Sequence, residues 1–276
     1  MLYYYANTGH KIGLERLRRG AALLNSLANQ GVETQFLVND FRAGLVAKEL
    51  GVKDYVTVEG VQDIDAIAEH GDSIIIDSVE DDHGRLVKYC EDFKNVWRFA
   101  HDENDRVIHD EILLSTDTLL VDDMYFEETK KEERTLFFLG DADYDKVVLS
   151  NETFFKAFDM ELLLGNYFFV KYEDDLAKLF STLHEPEEYV DLIKSSSCVV
   201  TASGQTALEA KASGAKVIFL NIENNAIYPA TLLSAYGIAI VDGFNVEQLK
   251  NHLQSDLATG TKSIQKFDDK KIKNKL

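Results

Sequence analysis

The chain has 276 residues, 45% of them hydrophobic and only two proline, which suits a globular protein with room for two domains of ordinary size. A formal net charge of −19 repels DNA, RNA and anionic membrane surfaces, so no nucleic-acid partner is expected and an anionic ligand has to be held by local basic or amide groups. Cys90 and Cys198 lie far apart without metal-ligand spacing, no window reaches about 18 uninterrupted apolar residues, and M-L-Y-Y-Y-A-N lacks a basic leader; the expectation is a cytoplasmic protein with reduced thiols, no structural zinc and no membrane insertion.

In chain order, the aromatic run at 2–6 predicts a strand, broken by the glycine loop N-T-G-H-K-I-G at 7–13. Apolar positions Leu14, Leu17, Ala21, Leu24 and Leu27 then recur at three and four, which predicts an amphipathic helix closed by Gly31. A strand at 32–38, a helix at 42–50 closed by Gly51, a strand at 55–58 and a short helix at 64–69 follow. S-I-I-I-D at 73–77 reads as a buried strand, because a continuous β-branched run suits a parallel sheet covered on both faces. Residues 86–93 read as a helix, and 96–100, 111–114 and 118–121 as edge strands.

Residues 127–134, E-E-T-K-K-E-E-R, contain no apolar side chain and form the candidate linker, an exposed helix being the other reading. The division placed there gives domains over 1–130 and 131–276. The second series has a strand at 135–139 running into Gly140-Asp141-Ala142-Asp143, a helix at 149–158, apolar runs at 160–164 and 167–170, and helices at 174–183 and 186–194. After the motif at 198–214 come a strand at 216–220, a helix at 230–236, a strand at 238–241 and a helix at 246–253. The polar, lysine-rich tail from Lys262 is expected to fray. Two βα series predict an α/β fold of two doubly wound Rossmann-like domains facing each other across a cleft, with the loops 7–13, 140–143 and 202–206 at the carboxyl ends of the strands, where such sheets bind ligands.

The stretch 201–214, T-A-S-G-Q-T-A-L-E-A-K-A-S-G, carries most of the chemistry. Strand, small-residue turn and helix leave N–H groups unpaired at a helix N-terminus, which favours anions, and Ser203, Gly204, Gln205 and Thr206 let a phosphate approach the main chain. Glu209, one turn on, is placed to accept hydrogen bonds from ribose hydroxyls. The other reading is an ordinary βα turn, since no complete G-x-G-x-x-G or Walker pattern is present. Arg16 and Arg19 lie three apart on one helix face, either to clamp phosphate oxygens or as a solvated basic face.

With these residues the chain resembles the UDP-sugar hydrolase family of pseudaminic acid biosynthesis, the UDP-2,4-diacetamido-2,4,6-trideoxy-β-L-altropyranose hydrolases, which are similar to the GT-B glycosyltransferases that include the lipid II synthase. T-A-S-G-Q-T-A-L-E matches the family's S-A-G-G-S-T-x-x-E, which implies Glu209 on the ribose and Gln205-Thr206 on the diphosphate. Glu223-Asn224-Asn225 sits where the family carries D-N-Q, Asp77-Ser78 where it has an aspartate after a strand, and Gly140-Asp141-Ala142-Asp143 on its G-G-x-D loop. The resemblance implies a GT-B-like fold with the sugar and catalytic side in the N-terminal domain and the nucleotide side in the C-terminal one. It also implies UDP or a UDP-sugar as partner; no cofactor or metal is expected, and the candidate substrate-binding set is Asn7, Arg16, Arg19, Gly204, Gln205, Thr206, Glu209, Asn224 and Asn225 with loop glycines Gly13 and Gly140.

The departures are as informative. The family's first loop is I-G-x-G-H-x-x-R, its histidine serving as hydrolytic base; here Ile12-Gly13-Leu14-Glu15-Arg16-Leu17-Arg18-Arg19 puts Glu15 on the second glycine and Arg16 on the histidine. Arginine keeps its proton, with a pKa above about 12. His10, six residues upstream, is the candidate base, or else a hydrogen-bonding turn residue. Asp141 replaces a glycine where a carboxylate opposes a diphosphate unless a cation or arginine intervenes. The acidic runs 80–82 and 102–103 read as solvated surface. Three functional classes follow: a hydrolase releasing UDP, a GT-B transferase in which an acceptor hydroxyl replaces water, and a non-catalytic relative that binds a nucleotide sugar or a protein.

Overall fold

The two most apolar runs of the N-terminal half, L-Y-Y-Y-A and S-I-I-I-D, become neighbouring strands buried at every position. They belong to a computed structural model that describes residues 1–222, 227–255, 260 and 262–276. The chain divides into two units: Met1–Gly9, Arg16–Asp123 and Lys266–Leu276 form the first, His10–Glu15 and Met124–Gln265 the second. Both are discontinuous, whereas the sequence reading cuts the chain once, at 130.

The first unit contains β1 (Leu2–Ala6), α1 (Glu15–Asn29, whose first residue clusters with the second unit), β2 (Thr34–Val38), α2 (Phe41–Glu49), β3 (Tyr55–Thr57), β4 (Ser73–Asp77), α3 (Arg85–Asp92), β5 (Asn95–Phe99) and β6 (Ile112–Leu114). The strands are all parallel in the order β3-β2-β1-β4-β5-β6, with Tyr4 opposite Phe36 on one side and Ile75 on the other. Of the three strands expected at the edge, 111–114 is there as β6, whereas 96–100 is internal as β5 and 118–121 has no strand.

In the second unit lie β7 (Glu132–Phe138), α4 (Val147–Ser150), α5 (Glu152–Phe155), β8 (Glu161–Leu163), α6 (Glu173–Leu176), β9 (Thr182–His184), α7 (Tyr189–Ser195), β10 (Ser196–Thr201), α8 (Gly204–Ala212), β11 (Lys216–Asn221), α9 (Ala230–Ala235), β12 (Ala239–Asp242) and α10 (Val246–Gln254). The order β12-β11-β10-β7-β8-β9, again all parallel, repeats that of the first sheet. Phe137, Phe155 and Phe180 fill its core with ring centroids 4.9 to 5.7 Å apart. Each sheet grows outward from its first strand on one side and resumes on the other, the doubly wound pattern whose switch point lies between β1 and β4 in one unit and between β7 and β10 in the other. Two such units with flanking helices make the chain an α/β protein of the GT-B-like, twice Rossmann-like class. No helix among the described residues is long and apolar enough to cross a membrane.

Four local expectations are corrected. The charged segment at 127–134 is not all linker, because Glu132 to Arg134 begin β7, where Glu132 pairs with Ser196 of β10. The helix expected over 149–158 is two separate turns broken at Asn151, whose φ of −117° and ψ of 33° leave the helical region. Leu183, at helical spacing with Leu179, instead pairs with Leu162 in β9. The C-terminal tail does not fray: α11 (Lys270–Lys273) buries Ile272 to 1% exposure, and Asp269 accepts hydrogen bonds from Ser26 Oγ at 2.7 Å and from Gln30 Nε2.

Candidate functional site

The apolar run of β10 ends at Thr201, and the small residues Ala202 and Ser203 turn the chain into α8. Ser203 caps the helix, its Oγ accepting from Thr206 N at 3.1 Å, while its own N–H donates to Thr201 Oγ1 at 3.0 Å. The side chains that follow turn inward. Glu209 is 2% exposed; its Oε1 accepts from Gln205 Nε2 at 2.8 Å and its Oε2 from the Tyr189 hydroxyl at 2.6 Å. That hydroxyl lies 2.7 Å from Thr206 Oγ1, and Tyr228 donates to Gln205 Oε1 at 3.3 Å. Gln205, Thr206 and Glu209 thus form one buried polar network with two tyrosines that no sequence motif signals.

The network ends on a carboxylate from the far end of the sequence. Glu15 Oε1 accepts from Ser203 Oγ at 2.7 Å and from Gln205 N at 3.0 Å, so its charge sits at the positive end of α8. The sequence marks Glu15 only as an acidic residue on an expected glycine. Just before it, Gly13 has φ +78°, a left-handed conformation costly to most side chains.

The turn after β7 stands beside this end of the helix. Asp141 is buried, with Oδ1 accepting from Asn166 Nδ2 at 2.8 Å and its carbonyl from Tyr167 N at 2.8 Å. Gly165 backs the turn so closely that a Cβ there would stand 2.5 Å from the Gly140 carbonyl oxygen and 2.6 Å from that of Asp141. Asp143 caps α4, accepting from Val147 N at 2.6 Å and from the Tyr172 hydroxyl, whose pKa is pushed up by burial and by this hydrogen bond to a carboxylate.

Together these segments line a cavity of about 490 Å³, bounded by His10–Glu15, residues 139–145, Val147, Ala202, Ser203 and Ile222, all of the second unit. It lies at the switch point between β7 and β10. The His10 ring packs 4.7 Å from that of Tyr167, and the Lys11 ammonium sits 4.8 Å from the Tyr144 ring centre. His10, Gly13 and Gly140 therefore share one cavity with Ser203.

Arg16 and Arg19 go elsewhere. Arg19 holds Asp77 with two bonds of 2.5 Å, Nε to Oδ2 and Nη2 to Oδ1, over the Phe99 ring at 3.8 Å, and Arg16 Nε lies 3.4 Å from Oδ1. Tyr4 donates to Asp77 Oδ2 at 2.7 Å. Their three-residue spacing does place both guanidiniums on one anion, but that anion is the protein's own carboxylate at the end of β4. Asn7 bonds the Asp77 carbonyl through its N–H at 2.9 Å, and its buried Oδ1 has no hydrogen-bond partner among the described residues. This ion cluster fills the switch point of the first sheet. Asn224 and Asn225, with Glu223, lie outside the described residues.

No protein-family model matches the chain and no curated protein matches its sequence. Solved structures match it across most of its length. The UDP-GlcNAc 2-epimerase from Methanocaldococcus jannaschii superposes with a TM-score of 0.57 at 12% identity, covering 99% of this chain and 98% of its own. The structure of that organism's enzyme in complex with UDP-GlcNAc and UDP gives 0.54 at 13% identity, with 92% of each chain covered. A glycosyltransferase from Rickettsia africae ESF-5 gives 0.56 at 10% identity, covering 91% of this chain and 86% of its own. At such identities the likeness is one of fold.

Proposed function

We propose that the protein binds UDP or a UDP-sugar in the cavity of the second unit and is a UDP-sugar hydrolase of surface-glycan biosynthesis, acting on a diacetamido trideoxy sugar of the pseudaminic acid type or a related one. The observation that carries this is the meeting of the first loop, the Gly140 turn and the start of α8 in one cavity at a topological switch point. A similarly folded epimerase solved with UDP-GlcNAc and UDP supports the ligand class. In this reading the diphosphate is received at the start of α8, by the Ser203 hydroxyl and the main chain of Gly204 and Gln205, while Thr206 and Glu209 act through Gln205 and Tyr189 by holding the loop in shape. Water attacks the anomeric carbon, the bond to the phosphate oxygen breaks, UDP leaves with the electron pair, and His10 takes the proton of the attacking water.

One observation favours a second reading, a nucleotide-sugar binder without turnover. Arg16, on the family's histidine, is engaged by Asp77 and unfit as a base. NMR of a mixture with the diacetamido UDP-sugar separates the cases. Free UDP without acceptor means hydrolase, UDP only on adding an acceptor means transferase, and binding without release means binder; absence of heat on titration with millimolar UDP overturns all three.

Two variants address the residues. Glu209→Ala is expected to weaken UDP binding by about 1–3 kcal/mol, since Gln205 and Tyr189 lose their shared acceptor; an unchanged calorimetric affinity removes Glu209 from the site. His10→Ala is expected to abolish UDP release while calorimetric UDP binding persists, and full turnover would exclude it as the base.

A further inference from the structure

We infer that Glu15 is a tethered competitor for the phosphate position, an internal anion that a ligand's phosphate has to displace from the N-terminus of α8. The inference rests on the nucleotide reading above and deepens it.

The contact is tertiary, because Glu15 stands 188 and 190 residues from the two groups it engages. Nor is it needed as the ordinary cap, since Ser203 already fills that role toward Thr206. What Glu15 adds is one anionic oxygen on which a hydroxyl and a second-position helix N–H converge, the donor set that an oxygen of a bound phosphate would take. Its side chain is only half-buried and lines the cavity of about 490 Å³, so there is space for it to swing away from α8.

A diphosphate entering with Glu15 in place would set like charges within a few ångströms, in a cavity whose walls also carry Asp141, Asp143 and Asp145. Binding therefore selects the withdrawn state. If that state makes up about one to ten per cent of molecules, the apparent affinity is lowered about 10- to 100-fold. The tether keeps the start of α8 satisfied in the empty protein and sets the ligand concentration at which the site loads.

The test is calorimetric titration of the full chain with UDP, comparing wild type with Glu15→Ala and Glu15→Gln. The alanine variant is expected to bind about 10- to 100-fold more tightly. Glutamine, which keeps an acceptor oxygen and sheds the charge, should fall between the two and carries the test should the alanine variant not fold. Wild-type binding with no gain in either variant overturns the competitor and leaves the nucleotide reading intact. No binding by any of the three overturns that reading, and the competitor with it.

Discussion

Asp77→Ala is expected to cost about 3–5 kcal/mol of stability, read as a fall in the urea midpoint followed by circular dichroism, because it removes the carboxylate with which a buried guanidinium is paired. Asp77 is 1% exposed and receives Arg19, Arg16 and Tyr4 together. Arg19 has a side-chain exposure of only 5% and cannot turn to water in compensation, whereas Arg16, at 13%, has a partial route out. The sign depends on breaking the pair and not on losing the charges. Asp77→Leu combined with Arg19→Met should cost much less than the single change, since well-packed apolar replacements of a buried pair are often nearly neutral. A single variant as stable as wild type, or a double variant no better than the single, contradicts this account.

Arg98→Met is expected to be comparably severe. The guanidinium bonds Asp105 Oδ2 at 2.5 Å and Oδ1 at 3.0 Å, Glu111 Oε1 at 3.1 Å and the Arg106 carbonyl at 2.9 Å. Glu111 has no exposed side-chain surface, so its buried charge would lose its cationic partner and be left to backbone N–H groups such as those of Ile108 and His109, a loss of about 3–5 kcal/mol. The pH dependence makes the claim specific. Arg98 holds the Asp105 carboxyl down to about 2, below its value in the unfolded chain. A carboxyl lowered by folding contributes stability that is full above the unfolded pKa, near 4, and is lost as the pH falls toward 2. Wild type should therefore lose stability steeply between about pH 4 and pH 2, and Arg98→Met should show a shallower slope over the same window. Parallel slopes would detach Asp105 from the effect.

The order of strands and helices was legible because both sheets are parallel and buried, so their strands read as unbroken apolar runs; S-I-I-I-D and V-V-T are the clearest. The turn into α8 was legible through its small residues and its helical start. What remained hidden has a common cause, the dependence of short segments and polar side chains on distant partners. T-L-H at 182–184 carries no strand signal of its own and is extended because β8 offers it a ladder. The spacing of Arg16 and Arg19 put them on one helix face, but whether that face meets a ligand phosphate, solvent or the carboxylate of Asp77 is not written in the sequence. Tyr189 and Tyr228 entered the α8 network without a motif, since a buried carboxylate and amide accept whatever hydroxyl the fold delivers. Glu15 registered as a departure from a glycine, while its place at the helix N-terminus depends on a partner that no local pattern names.

The return of Lys266–Leu276 to the first unit has a consequence for synthesis. Beyond the burial of Ile272, Asn95 Nδ2 donates to the Lys275 carbonyl at 2.9 Å and Lys266 pairs with Asp123 at 3.0 Å. This segment leaves the ribosome after all of Met124–Gln265. The unit whose strands emerge first is thus the one completed last, and during translation it has to wait, with the α1 face that Asp269 later engages still uncovered, while the later-made unit acquires its whole sheet.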